Sequence, residues 1–170
     1  MTHVLPDMLR PGLRVVFCGT AAGAVSAAKG AYYAGPGNRF WAILAKTGLT
    51  PSQLRPDQFA QLLEFDIGLT DVAKTVSGAD ADLPAAAFDR IRLVALMQEI
   101  SPAYLAFNGK KAAAMALGRP TRLLAYGAVR DVPDFPRIVI LPSTSGAASG
   151  FWDPAPWRAL ADQVRMRQAG

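Results

Sequence analysis

Three short apolar runs, rich in β-branched residues and each ending in a glycine-bearing loop, constrain this chain most. They are LRVVFCG (residues 13–19), PAYLAFNG (102–109) and RIVILPSTSG (137–146). Such runs leave no polar face, which predicts strands covered on both sides. Helical patterns separate them. Phe40, Ile43 and Leu44 recur at helical spacing before Gly48, and a shorter helix is expected around Asp57 to Glu64. Phe88, Ile91, Leu93, Leu96 and Ile100 mark an amphipathic helix. KKAAAMALG reads as a helix stopped by Gly118 and Pro120, and PAPWRALADQVRMRQ as a terminal one. The opening LPDMLRPGL, with two prolines, is expected to be a turn with a short helical piece. IGLTDVA is either a short strand or an extended loop.

Strands alternating with helices imply a mostly parallel sheet covered on both faces. With 170 residues, one domain covering residues 1–170 is expected. Ligands in such folds sit outside the carboxyl ends of the strands. The loops at residues 19–23, 108–111 and 142–149 are therefore the places to look for chemistry.

Composition narrows that chemistry. Cys18 is the only cysteine and His3 the only histidine. A structural zinc site or an iron–sulfur cluster needs about four such ligands, so both are excluded, as is a disulfide within the chain. His3, close to a terminus, is expected to be an exposed bystander, which leaves no base for serine–histidine or cysteine–histidine hydrolysis. No apolar run approaches the roughly 18 residues of a membrane span. With no signal-peptide pattern either, a cytoplasmic protein without a membrane partner is expected. Lys and Arg total 18 against 13 Asp and Glu, a formal charge of +5 that favours a polyanionic partner.

The first loop, GTAAG, lacks the central glycine of a dinucleotide fingerprint and the Gly-Lys-Ser/Thr of a P-loop. It offers backbone N–H groups, with Tyr32 and Tyr33 close behind. A flat heterocycle read by backbone and stacked on an aromatic ring suits these parts.

At this point the sequence resembles a family. LRVVFCGTAAGAVSAAKGAYYAGPGNRFW is similar to the first motif of the mismatch-specific uracil/thymine DNA glycosylases, a branch of the uracil-DNA glycosylase superfamily. LPSTSGAAS resembles their second motif, GIGLTDVAK and LAFNGK their linking segments, and LPDMLRPGL their lead-in. The resemblance implies a three-layer α/β/α sandwich around a short, mostly parallel sheet. It implies a monomeric, cofactor-free repair enzyme that hydrolyses the N-glycosidic bond of uracil, or another mispaired or damaged base, flipped out of DNA. Gly19, Thr20, Ala21, Ala22, Gly23, Tyr33, Asn38 and Ser143 would then contact the base, with Tyr33 as the stacking ring. Lys110, Ser145, Gly146 and Ala147 would contact DNA.

Two departures qualify it. Ala21 stands where the family usually has an asparagine that positions the attacking water. Asp71 is the candidate replacement, with a helix cap or turn as its structural alternative and Asp66 as the runner-up. Asp80, Asp82 and Asp89 are expected to cap a helix or face solvent. Ala147 stands where members often carry a larger wedge that fills the gap left by the flipped base. Phe151 and Trp152 either contribute there or pack against the last helix. A base-binding module that does not cut, and an enzyme acting on free nucleosides, are the competing readings.

Overall fold

The structure is a computed structural model that describes residues 2–79 and 82–168. Five strands form one sheet: β1 (Val15–Gly19), β2 (Ile67–Asp71), β3 (Tyr104–Asn108), β4 (Gly127–Val129) and β5 (Arg137–Leu141). Their order is β2-β1-β3-β5-β4, parallel throughout except for β4, which runs antiparallel to β5. All residues of β1, β2 and β3 are buried, as strands covered on both faces must be, and the polar Thr70, Asp71 and Asn108 stand at the carboxyl ends of β2 and β3.

Helices cover both faces. On one side α2 (Phe40–Lys46) and α5 (Ala155–Gln168) set Phe40, Trp41, Trp157 and Leu160 against Phe17, Leu69 and Val139. On the other, α3 (Arg90–Ile100) and α4 (Lys110–Leu117) pack Leu93, Met97, Ala112 and Ala113 against Val16, Leu105 and Ile140. The short α1 (Ala24–Lys29) follows the first loop. This is the expected three-layer α/β/α arrangement. No helix among the described residues is long and apolar enough to cross a membrane.

Three expectations need correction. The opening segment has no helical piece; Met8 pairs antiparallel with Leu69 in an isolated bridge, because the flanking prolines keep the chain extended. The amphipathic helix starts only at Arg90, capped by Asp89, whose carboxylate accepts the Arg92 N–H. Ile91 is 84% exposed, so the apolar stripe is carried by Leu93, Met97 and Ile100. Strand β4 had no sequence signal, being three residues long and only partly covered.

Candidate active site

The carboxyl ends of β1, β2, β3 and β5 bring Gly19, Asp71, Asn108 and the loop after Leu141 to one end of the sheet. There they frame a cavity of about 840 Å³. Every residue assigned to the site from sequence lines it: Gly19, Thr20, Ala21, Ala22, Gly23, Tyr33, Asn38, Asp71, Lys110, Ser143, Ser145, Gly146 and Ala147. They come from segments more than a hundred residues apart, and the parallel register makes them neighbours.

The first five residues of IGLTDVA form β2 (Ile67–Asp71), so Asp71 is no helix cap. It sits at the end of β2, 4% exposed, with its Cα opposite that of Gly19. The Asp71 carboxylate can lie against Gly19 because residue 19 has no side chain. A Cβ there would lie 2.6 Å from Asp71 Oδ1 and 3.2 Å from the Tyr33 hydroxyl. The first loop is tied to the strand that carries Asp71: Val72 N–H donates to Gly19 O and Ala73 N–H to Thr20 O.

Asp66 does not reach the site. It ends the preceding 3-10 segment and pairs with Arg10 and Arg14. Five residue steps at about 3.3 Å each separate it from Asp71, at opposite ends of the sheet. Asp82 is exposed, and Asp80 lies outside the described residues. Cys18 is fully buried beneath the loop; burial, then the neighbouring Asp71 charge, raises its thiol pKa well above the ordinary value, so it stays a neutral packing group.

Tyr33 is half-buried, with φ of 52°. Its ring stacks on Phe40 with centroids 4.1 Å apart. Phe40 in turn meets Phe17 and Trp157, so the wall behind Tyr33 is rigid. The Tyr33 hydroxyl is buried, with no hydrogen bond of good geometry, and the Asn108 side chain is the polar group beside it. Burial, and then the Asp71 charge, push its pKa well up, against a smaller downward pull from Asn108. Tyr32 points the other way, into the core, and donates to Pro6 O at 2.8 Å.

The second-motif loop is held by reciprocal bonds that the sequence did not announce. Asn108 Nδ2 donates to Thr144 Oγ1, and Thr144 N–H donates to Asn108 Oδ1, both at 3.0 Å. Arg39 N–H donates to Thr144 O, its guanidinium reaches Ser149 Oγ, and the same group lies over the Trp152 ring. Gly37 and Gly146 touch backbone to backbone; a Cβ on Gly146 would stand 3.1 Å from Pro36 O. Asn38 Oδ1 accepts the Phe40 N–H and so shapes the turn into α2. Ser143 Oγ accepts from Ser145 N–H. At the rim, Lys110 lies over the Tyr126 ring and Lys111 over Phe88.

Trp152 packs on Trp157, as expected, but Phe151 does not. It is 76% exposed at the mouth of the cavity, on the 3-10 turn Gly146–Phe151. Behind the site lies a further cluster that sequence reasoning missed. Asp7 accepts from Thr70 Oγ1 at 2.7 Å, pairs with Lys74 at 3.1 Å, and is bonded by Arg92. Lys74, 4% exposed, also donates to the Tyr32 hydroxyl.

A parallel α/β sandwich with a roomy cavity at its strand ends belongs to the class of folds that take ligands outside the carboxyl ends of their strands. The family model of the uracil DNA glycosylase superfamily matches residues 6–160, and the chain belongs to that superfamily. The fold is also similar to a solution NMR structure of a candidate uracil DNA glycosylase from Methanosarcina acetivorans. That likeness covers 95% of this chain and 96% of the other, at 20% identity and a TM-score of 0.65.

Proposed function

We propose that this chain is a monofunctional DNA glycosylase of the mismatch-specific uracil/thymine type, with Asp71 in the place of the missing asparagine. The observation that carries the reading is the Asp71 carboxylate: buried at the end of β2, against Gly19 of the first-motif loop, on the wall of the cavity. Cleavage of an N-glycosidic bond passes through a sugar with oxocarbenium character while negative charge grows on the departing base. A carboxylate beside that sugar stabilises the cation and accepts a proton from the attacking water. Tyr33 offers the ring face turned away from Phe40 to the flipped base. The loops at 19–23 and 143–147 offer backbone and hydroxyl groups around it. The exposed Phe151 ring at the mouth supports an insertion role that Ala147 is too small to fill.

The test uses labelled DNA holding one uracil, opposite guanine, opposite adenine or in a single strand, followed by alkaline cleavage of abasic sites. Release is expected with chelator present, with G·U at least as good as A·U. Asp71→Asn should slow single-turnover release at least about a hundredfold. Ala21→Asn should partly restore Asp71→Ala if both side chains hold the same water. No abasic product at stoichiometric protein, on any of these substrates, overturns the reading.

A further inference from the structure

Strand β2 lies at the edge of the sheet, so β1 supports it on one side only. The outer side of an edge strand carries backbone groups that the sheet itself does not pair. Here the opening segment supplies that second side. Met8 and Leu69 exchange backbone hydrogen bonds, Met8 N–H donating at 3.0 Å and Leu69 N–H at 2.9 Å. Just past Asp71, Val4 N–H donates to Lys74 O at 2.7 Å. Leu5, buried between these two ties, reaches the cavity wall.

Asp7 also stands between the ties, and each of its partners leads to Asp71. One carboxylate oxygen accepts from the hydroxyl of Thr70, the residue before Asp71, at 2.7 Å. The same oxygen lies 3.1 Å from the ammonium of Lys74, three residues after it. The other oxygen is bonded by Arg92, whose second guanidinium nitrogen donates to Asp71 O at 3.4 Å. Arg92 comes from α3, and that helix is tied to the same stretch by Asp89 N–H, which donates to Val72 O at 3.1 Å. Buried Cys18 feels the charges of Asp71, Lys74, Arg92 and Asp7 together, so the cluster and the Asp71 carboxylate share one neighbourhood. Taking such charges out of water offsets most of what their attraction gains, so a buried ion cluster is a poor device for stability alone. Its bonds are directional, however, and they fix the opening segment, β2 and α3 against one another.

We propose that Asp7 is a positioning residue for the reaction: through Thr70, Lys74 and Arg92 it sets where the end of β2 lies, and so where the Asp71 carboxylate stands on the cavity wall. The inference rests on the glycosylase reading above and adds to it a residue outside the cavity. Asp7, Thr70, Lys74 and Arg92 do not line the cavity, so none of them touches the substrate or moves a proton. They act through the placement of Asp71. A displacement near 1 Å at a reacting group is worth about a hundredfold in rate, so loosening one tie to β2 is worth about tenfold.

The experiment measures single-turnover uracil release by wild type, Thr70→Val, Thr70→Ser and Asp7→Asn. Thr70→Val and Asp7→Asn are each also combined with Asp71→Asn, and all rates are taken below the lowest melting temperature of the set. Thr70→Val keeps the shape of the side chain and removes only the hydroxyl, so it decides the matter if Asp7→Asn fails to fold. It should lower the maximal rate about tenfold. The protein concentration that gives half of that rate should change less than about twofold, because no contact to DNA is lost. Thr70→Ser, which keeps the hydroxyl, should recover most of the rate, and Asp7→Asn should lose at least as much as Thr70→Val. Beside Asp71→Asn, neither change should cost more than about a further twofold, because the group being positioned is already gone. A cluster that served the fold alone would instead lower the rate by the same factor with or without the Asp71 carboxylate. A wild-type rate for Thr70→Val, or losses that multiply with Asp71→Asn, overturns the positioning role and leaves the glycosylase reading intact. A wild-type rate for Asp71→Asn overturns the catalytic assignment of Asp71 and the positioning role with it. Absence of release by wild type overturns the glycosylase reading, and the positioning role falls with it.

Discussion

Gly19 and Asp71 face each other across the parallel β1–β2 ladder, so close that a single added methyl on residue 19 would stand 2.6 Å from the Asp71 carboxylate. The glycine is there for approach to that carboxylate. Gly19→Ala is therefore expected to displace Asp71, which is short and buried and has little room to yield. Overpacking of this kind costs about 1–3 kcal/mol. A displacement near 1 Å at a reacting group is worth about a hundredfold in rate. Melting temperature and single-turnover release, measured together, check it; release at the wild-type rate would show that Asp71 is not needed where it stands.

Phe151 gives a second prediction. Its ring is exposed at the cavity mouth, and extruding a base from a paired duplex costs a few kcal/mol that a single strand does not demand. Phe151→Ala should slow uracil release from an A·U duplex about tenfold and from a single strand less than about twofold. The ratio of the two rates is the measurement. Equal losses on both substrates would assign the ring to something other than opening the duplex.

How far the sequence was legible depended on whether a feature was local. β1, β3 and β5 announced themselves because a buried parallel strand must be apolar on both faces. The cavity followed because the strand-end loops of such a sheet converge, and that alone gathered residues 19–23, 108–111 and 143–147. Asp71 could be chosen over Asp66 only by family resemblance, since both lie in one segment; the strand between them separates a site residue from a partner of Arg10 and Arg14. Asp7 left no trace, because Thr70 and Arg92 stand 63 and 85 residues away.

The rim lysines yield a third prediction. Lys110 and Lys111 open α4 and line the cavity, and each cationic contact to phosphate adds about one counterion to the salt dependence of binding. Lys110→Ala should weaken DNA binding at low salt and lower the slope of log affinity against log salt by about one. Binding titrations between about 50 and 200 mM salt read it directly. An unchanged slope would leave Lys110 as a cation held over Tyr126, with no phosphate role.

The last prediction concerns the cluster behind the site. Burial alone would raise the Asp7 carboxyl pKa, but Lys74, Thr70 and Arg92 outweigh it and hold the group below its ordinary 3.8. A carboxyl with a depressed folded-state pKa stabilises the protein above its unfolded value, and that contribution is lost as pH falls through the folded one. Asp7→Asn leaves Lys74, only 3% exposed in its side chain, without its counter-charge. Removing one partner of a buried pair costs up to about 3–5 kcal/mol, because the remaining charge stays desolvated. At pH 7 the variant should therefore unfold at clearly lower urea than wild type. Below about pH 3.8 the wild-type carboxyl begins to protonate too, so the gap between the two proteins should narrow as pH falls. A gap that stays constant from pH 7 into the acid range would mean that the Asp7 charge contributes nothing, and that its hydrogen bond to Thr70 accounts for the whole effect.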